Sequence, residues 1–335
     1  MKPWREEPRG GSLRGGLSGF GPAPGSPRLR GVGEAGDEVT PGPPTVGIIG
    51  VGAVGAALGL AIARAGWPVT AVSSRDPRRL ERFHAFVPGA ALLTEPAAVL
   101  NVVDLAILAV PDDATEEVVA PLRLYGGQAL VHTSGLLGAE VLEPARAAGS
   151  QIGAFHPLVS FTSDVERSVA ALPGATVALE GDDRLLGLLA NLTEAIGGVP
   201  VRLPPGSKAA YHAAAMLASG GLVALLDAVA ALGAAAGMDE RGSLAVYGRL
   251  MEQTLANARS LGIAAALTGP MTRGDDGTLE AHVDALRRLA PGVVDMYLAA
   301  ARREVRIAEE RGSLTEVQAQ RLLGTLAKAG RPGTI

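Results

Sequence analysis

Gly50, Gly52 and Gly55 take the spacing G-x-G-x-x-G within Val46-Gly47-Ile48-Ile49-Gly50-Val51-Gly52-Ala53-Val54-Gly55. The chemistry open to such a segment is diphosphate binding by bare backbone. The first glycine permits a tight turn. The second removes the side chain that would hold a phosphate away, and the third lets a following helix pack close to the preceding strand. Ala53 and Val54 begin that helix, whose unpaired N–H groups and partial positive charge suit an anion. A glycine-rich turn in another α/β protein shares the spacing. Its place directly after an apolar run and at the head of a helix favours dinucleotide binding.

The end of the second strand selects the cofactor. An NAD site carries an acid roughly 20 residues beyond the loop. Here the chain reads Val72-Ser73-Ser74-Arg75. Ser73 and Ser74 can donate hydrogen bonds to a 2′-phosphate, and Arg75 can grip it in bidentate fashion. Arg78 and Arg79 add positive charge, while Asp76 is a competing acid one position late. NADP is therefore favoured over NAD. Val110 and Pro111 end another strand and are expected to line the adenosine or nicotinamide channel. His132-Thr133-Ser134-Gly135 and His156-Pro157-Leu158 end two more. Ligands of open α/β sheets lie beyond such strand ends, so all three are expected to converge near the nicotinamide.

Hydride transfer to a carbonyl or imine requires a proton donor and fixed donors that orient the substrate. Lys208-Ala209-Ala210-Tyr211-His212 opens a helical region. Residues four apart share a helix face, so Lys208 and His212 can enter one cleft. Lys208 is the expected acid, and its place near a helix start, against the dipole, marks it out. The alternative is a surface lysine and a structural histidine. Ser134 and His156 are expected to orient the substrate, although His156 before Pro157 also suits a structural role. Arg273, in the polar loop Leu267-Thr268-Gly269-Pro270-Met271-Thr272-Arg273-Gly274-Asp275, is a candidate carboxylate clamp. A rigid interhelix turn, with Asp275 capping the next helix, accounts for the loop equally well; His282 follows on that helix.

The elements that must position these residues follow from hydrophobic period. Apolar runs at residues 46–50, 69–73, 105–110, 128–132 and 151–155 read as strands, with helical stretches at 53–65, 78–86, 113–122 and 139–148 between them. Strands near 176–179 and 199–202 complete the sheet. The alternation predicts a doubly wound, mostly parallel (Rossmann) α/β sheet. After Ser207, strand signals nearly vanish, and residues 208–237, 239–261, 279–289, 291–311 and 314–329 suit helices. The expected organisation is a disordered Gly/Pro-rich tail over 1–44, a dinucleotide-binding domain over 45–206, and an all-α domain over 207–330.

Composition narrows the function classes. The 335-residue chain is long enough for two domains. Aromatic residues are only 3%, which disfavours base-stacking platforms for single-stranded nucleic acid. The net charge of −4, without a basic stripe, disfavours nucleic acid and anionic membranes. With no cysteine there is neither disulfide nor thiolate metal site, and no His/Asp/Glu spacing suggests a metal. The first 44 residues have no apolar core of a signal peptide. The apolar stretch over 213–237 contains Asp227 and many small residues, and reads as a buried helix rather than a membrane span. A cytoplasmic protein is expected.

The ordered set Gly50–Gly55, Val110-Pro111-Asp112, His132-Thr133-Ser134-Gly135, Phe155-His156-Pro157-Leu158, Lys208-x-x-Tyr211-His212 and Leu267 through Asp275 resembles the Rossmann-like oxidoreductases with the C-terminal domain of unknown function 2520. The likeness covers roughly residues 45–328. Those proteins are similar to 6-phosphogluconate and β-hydroxyacid dehydrogenases, ketopantoate reductase and pyrroline-carboxylate reductase. The resemblance implies a helical second domain that closes the cofactor cleft, often by homodimerisation. It places Lys208 at the β-hydroxyacid family's catalytic lysine, with His212 where that family has asparagine. It makes ketopantoate the sharpest substrate expectation. The expected activity is thus NADP(H)-dependent reduction of a small oxo acid. Alternatives are a pyrroline-carboxylate type imine reductase, a deazaflavin:NADP oxidoreductase, and a non-catalytic NADP-binding sensor.

Overall fold

The computed structural model describes residues 42–147 and 149–330. Apart from residues 42–44, the tail expected over 1–44 lies outside the described residues. So does Ala148, the end of the helix expected over 139–148. The chain falls into two compact units that divide between Ala215 and Met216.

The first unit is built on β1 (Val46–Ile49), β2 (Val69–Ser73), β3 (Ala91–Leu93), β4 (Leu105–Leu108), β5 (Ala129–His132), β6 (Gln151–Pro157), β7 (Thr176–Gly181) and β8 (Val199–Arg202). They form one sheet in the order β3-β2-β1-β4-β5-β6-β7-β8. All neighbours run parallel except β6 and β7, which are antiparallel. The central strands β1, β4 and β5 are buried at every residue, as expected where both faces of a parallel sheet are covered. The helices here are α1 (Ala53–Arg64), α2 (Pro77–Phe86), α3 (Pro96–Leu100), α4 (Thr115–Val119), α5 (Val165–Ala170) and α6 (Asp183–Ala195). One face packs Ile48, Ile107, Val131 and Phe155 against α1 and α6. The other packs Ile49, Leu108, Leu130 and Ile152 against α3 and α4.

The doubly wound α/β sheet is as the sequence predicts, with local differences. β3 and α3 were not expected: each is too short for its period to stand out. The helix expected over 139–148 is instead a 3-10 turn, Ala139–Ala145, because Pro144 within it cannot donate to an α-helical ladder. The helix expected over 113–122 is reduced to a 3-10 turn at Asp112–Ala114 and α4.

The helix α7 (Lys208–Met216) leads through a π-turn, Leu217–Gly221, to α8 (Leu222–Ala235). The second unit continues with α9 (Glu240–Leu261), α10 (Ile263–Ala266), α11 (Asp276–Leu289), α12 (Val294–Glu310) and α13 (Glu316–Ala329), and holds no strand among the described residues. Leu279, Val283, Leu298, Val305, Leu322 and Leu326 form its core. Asp275 caps α11 through Thr278 N, and Thr315 and Gln318 form a capping box on α13. By contrast, α8 buries only Ala228 and Gly233, and α9 only Ser243. The helical run Lys208–Ala235 is long and apolar enough to cross a membrane by length and composition.

Candidate active site

The turn after β1 is shaped by what glycine lacks. Gly50 has φ +97, and a Cβ there would sit 2.5 Å from the Ala109 carbonyl oxygen. A Cβ on Gly55 would run into the Gly50 carbonyl oxygen. Both positions therefore exclude other residues, as the close strand–turn–helix passage demands. Gly52 is the N-cap of α1 and supplies no side chain to its amides; no acid stands in the first turn. The exposed end of α1 therefore keeps N–H groups available to an anion, so these residues fit a dinucleotide diphosphate.

At the end of β2, Ser73 is buried and its carbonyl accepts Gly50 N at 2.9 Å, so it braces the glycine turn. The whole residue is 1% exposed, so its hydroxyl is not offered to a 2′-phosphate at the surface. Ser74 is half-buried, its Oγ accepting Asp76 N at 3.1 Å, and Arg75 is exposed. Asp76, the competing acid, is engaged elsewhere: its carboxylate caps α2 by accepting Arg78 N at 2.9 Å and pairs with Arg79 Nε at 3.4 Å. Arg79 also hangs over the glycine turn, its Nη1 lying 3.7 Å from where a Gly52 Cβ would be. Val110 is half-buried, its Cγ1 3.0 Å from the corresponding point on Gly50, and Pro111 is exposed.

The loop after β5 is a wired turn. His132, 1% exposed, receives Ser134 N on Nδ1 at 3.2 Å and donates Nε2–H to the Gly138 carbonyl at 3.0 Å. Ser134 Oγ accepts Leu136 N and Leu137 N and donates to Asp112 at 2.9 Å. Its single proton is thus directed at Asp112. Lys208, only 3% exposed, donates from Nζ to the Ser134 carbonyl at 2.6 Å. Burial pulls its pKa down to about 8, against the upward pull of Glu180, Asp112 and Glu140. His132 is pulled down to about 4 by burial, then by Lys208, so it is neutral near pH 7.

His212 and Tyr211, on the same face of α7 as Lys208, reach the neighbouring residues. A Cβ on Gly135 would meet His212 Nδ1, and would lie 2.8 Å from His156 Nε2. Only a bare Cα therefore separates the two imidazoles, whose centroids are 6.1 Å apart. His212 Nδ1 is buried without a hydrogen-bond partner. His156 Nδ1 is hydrogen-bonded to the Tyr211 hydroxyl at 3.2 Å, the rings meeting edge to face. His156 is pulled down to about 4 by burial, then by Lys208 and His212. Val54, Thr133, His156, Pro157, Val159 and Phe161 line a cleft of about 280 Å³. Lys208 is not among the lining residues.

Glu180 is a residue that spacing did not flag. Strand register places Leu108, His132, Ala154 and Glu180 in one row across β4 to β7, so they share a sheet face. The small Ala154 lies between the histidine and the carboxylate. Glu180 Oε2 is buried without a hydrogen-bond partner, and burial pushes its carboxyl up while Lys208 opposes the shift. Thus Lys208, His212, Ser134 and His156, all expected at the site, meet on one loop of the first unit.

Arg273 belongs to the second unit. Its loop is braced by Arg311, which donates to the Ala264 and Leu267 carbonyls, and by Arg321, which donates to the Gly274 carbonyl at 3.0 Å. Arg273 is exposed and makes no side-chain hydrogen bond or ion pair among the described residues. On α11, His282 Nδ1 is hydrogen-bonded to the Tyr297 hydroxyl at 2.8 Å. No group of three or more possible metal ligands occurs among the described residues.

Residues 31–157 match the model of a Rossmann-like domain, and residues 175–304 match the Domain of unknown function (DUF2520). The chain thus carries a Rossmann-like domain followed by a stretch that matches DUF2520. The DUF2520 match begins at β7, so it takes in the last strands of the sheet and the motif Lys208–His212 as well as most of the helical unit. A Thermotoga maritima protein is 25% identical, covering 79% of this chain and 99% of its own, with a TM-score of 0.61. A Bacteroides fragilis protein provisionally described as an NADP oxidoreductase is 20% identical, covering 78% and 98%, with a TM-score of 0.64. A 1-pyrroline-5-carboxylate reductase from Streptococcus pyogenes is 18% identical, covering 80% and 98%, with a TM-score of 0.56. These likenesses establish a shared fold. No curated protein matches the chain.

Proposed function

We propose that this protein is an NADP(H)-dependent oxidoreductase that transfers a hydride to a small oxo acid, with ketopantoate the first substrate to test. One observation carries the reading. Val54, in the first turn of the helix that begins at the bare glycine cradle, and His156, at a strand end, line the same cleft. A diphosphate at the cradle would thus direct the rest of a dinucleotide toward a histidine. When bound, the nicotinamide supplies the hydride. NADP is favoured over NAD because Asp76 is committed to capping α2, while Arg79 hangs over the turn and Ser74 and Arg75 follow the end of β2. Lys208 is best read as a fixed positive charge beneath the Ser134 loop. Its ammonium spends one N–H on a carbonyl, and the residue is only 3% exposed and does not line the cleft. Arg273, exposed on a braced loop, is the proposed carboxylate clamp.

An imine as the electrophile is the second reading, supported by the names of two neighbours, the pyrroline-5-carboxylate reductase and a reductive aminase from Aspergillus terreus solved with NADPH. We also propose a cytoplasmic homodimer. The apolar faces of the π-turn, α8 and α9, including Leu217, Val223, Leu250 and Leu255, are exposed in the single chain. A second copy is favoured over lipid because Lys208 ties the start of the run to the sheet unit, and α9 carries Glu240, Arg249, Glu252 and Arg259. Analytical ultracentrifugation should give a dimer that Leu217→Asp dissociates; a monomer that binds vesicles would reverse this choice.

The experiment for function has two stages. NADPH and NADH are titrated calorimetrically into folded protein, and reduced-nicotinamide absorbance is then followed with ketopantoate, other 2-oxo acids, 1-pyrroline-5-carboxylate and a deazaflavin. Binding of NADPH with turnover of an oxo acid supports the reading. Turnover of the imine or deazaflavin alone moves it to those alternatives, and binding with no turnover makes the protein a sensor. No binding of either dinucleotide ends it.

A further inference from the structure

His156 has two ring nitrogens in different situations. Nδ1 is engaged by the Tyr211 hydroxyl at 3.2 Å. Nε2 has no hydrogen-bond partner among the described residues, is not sealed away from solvent, and belongs to a ring that lines the cleft. The bare Gly135 keeps a side chain from covering it. Tyr211 stands between Lys208 and His212 on α7, so one helix face delivers a hydroxyl, an ammonium and a second imidazole to the same loop. We propose that His156 and Tyr211 form a proton relay, in which His156 Nε2 hands its proton to the substrate heteroatom while Nδ1 takes the proton of the Tyr211 hydroxyl.

The relay rests on the reductase reading and balances as follows. The substrate carbonyl carbon accepts a hydride from the reduced dinucleotide, and the electron pair of the C=O π bond moves to oxygen. Oxygen takes the Nε2 proton, Nδ1 takes the phenolic proton, and the imidazole leaves neutral in its other tautomer. The Tyr211 phenolate then takes its proton back from Nδ1 while Nε2 takes one from solvent in the cleft that His156 lines, which restores the starting tautomer. The groups facing His156 suit this sequence. Burial, then Lys208 and His212 on α7, oppose a charged imidazole at His156, while His132 on β5 is itself neutral near pH 7, so the ring works between two neutral forms. Burial keeps the phenol protonated at rest by raising its pKa. His156 is the group at the reacting atom, and Tyr211 is the positioning residue that supplies it.

Two measurements on the full chain test this separately from the reductase reading. The first needs no substrate: ¹⁵N NMR of the histidine side chains near pH 7. His156 is expected as the Nε2–H tautomer in the wild type, with that preference lost in Tyr211→Phe. A wild-type ring carrying its proton on Nδ1 overturns the relay even if the protein is an active reductase. The second uses NADPH with whichever oxo acid the wild type turns over. Tyr211→Phe should lower kcat on the order of 10²-fold and change the solvent isotope effect, leaving KM and NADPH affinity unchanged. Turnover at the wild-type rate overturns it. Should no oxo acid be turned over, the reductase reading fails while the tautomer still decides the hydrogen-bond assignment on which the relay stands.

Discussion

Two helices of the first unit begin at the ends of parallel strands, and they are built by opposite means. The start of α1 offers only backbone: a glycine N-cap without a side-chain bond and no acid in its first turn. The start of α7 offers Lys208, Tyr211 and His212, all aimed at residues 134, 135 and 156. A lysine there opposes the helix dipole and loses hydration on burial. The Ser134 carbonyl and the carboxylates of Glu180, Asp112 and Glu140 offset that cost. The difference is physically sensible. Where a ligand brings its own lasting charge, the chain withholds side chains; where charge appears only during a reaction, the chain supplies the opposite charge in advance.

The sharpest way to break the α1 half is Gly50→Ala. The new Cβ falls on the Ala109 carbonyl oxygen in a backbone conformation that suits glycine. Calorimetry should show NADPH binding abolished, and urea melts should show destabilisation of about 1–3 kcal/mol. The α7 half is broken by Lys208→Met, which keeps length and removes charge. Turnover should fall on the order of 10²–10³-fold with little change in NADPH affinity. The same variant has a stability signature. The folded-state pKa of Lys208 is lowered from 10.5 to about 8, so wild-type stability is fullest above pH 10.5 and declines as pH falls toward 8. The loss amounts to about 3 kcal/mol. Chemical melts of the methionine variant should lack that slope.

On the acid side, His132 is lowered from 6.5 to about 4. Its contribution is complete above pH 6.5 and is lost as pH falls through 4, again by about 3 kcal/mol, because the buried ring must charge between two fixed partners. Melts of His132→Asn across that window should be flatter than wild type; an identical slope would assign the acid sensitivity elsewhere. The smallest effect is expected at the cofactor's edge. Arg75→Ala or Arg79→Ala should weaken NADPH about tenfold and leave NADH nearly unchanged, the loss of one exposed charge-assisted hydrogen bond. Equal loss for both dinucleotides would move that arginine from the 2′-phosphate to the diphosphate.

What could be read from the residues alone was whatever depends on local pattern. The glycine turn at residues 50–55, the alternation of apolar runs with helices, and the change to a helical second half all rest on residue type and period, which act over a few positions. The shared face of Lys208 and His212 was legible for the same reason, and Tyr211 was one step away on that face. Other features depended on partners far along the chain. Glu180 joins the row of His132 because β7 runs against β6, and His156 meets Tyr211 across 55 residues. Strand direction and packing decide such meetings, since short-range spacing leaves the direction in which a strand returns undetermined.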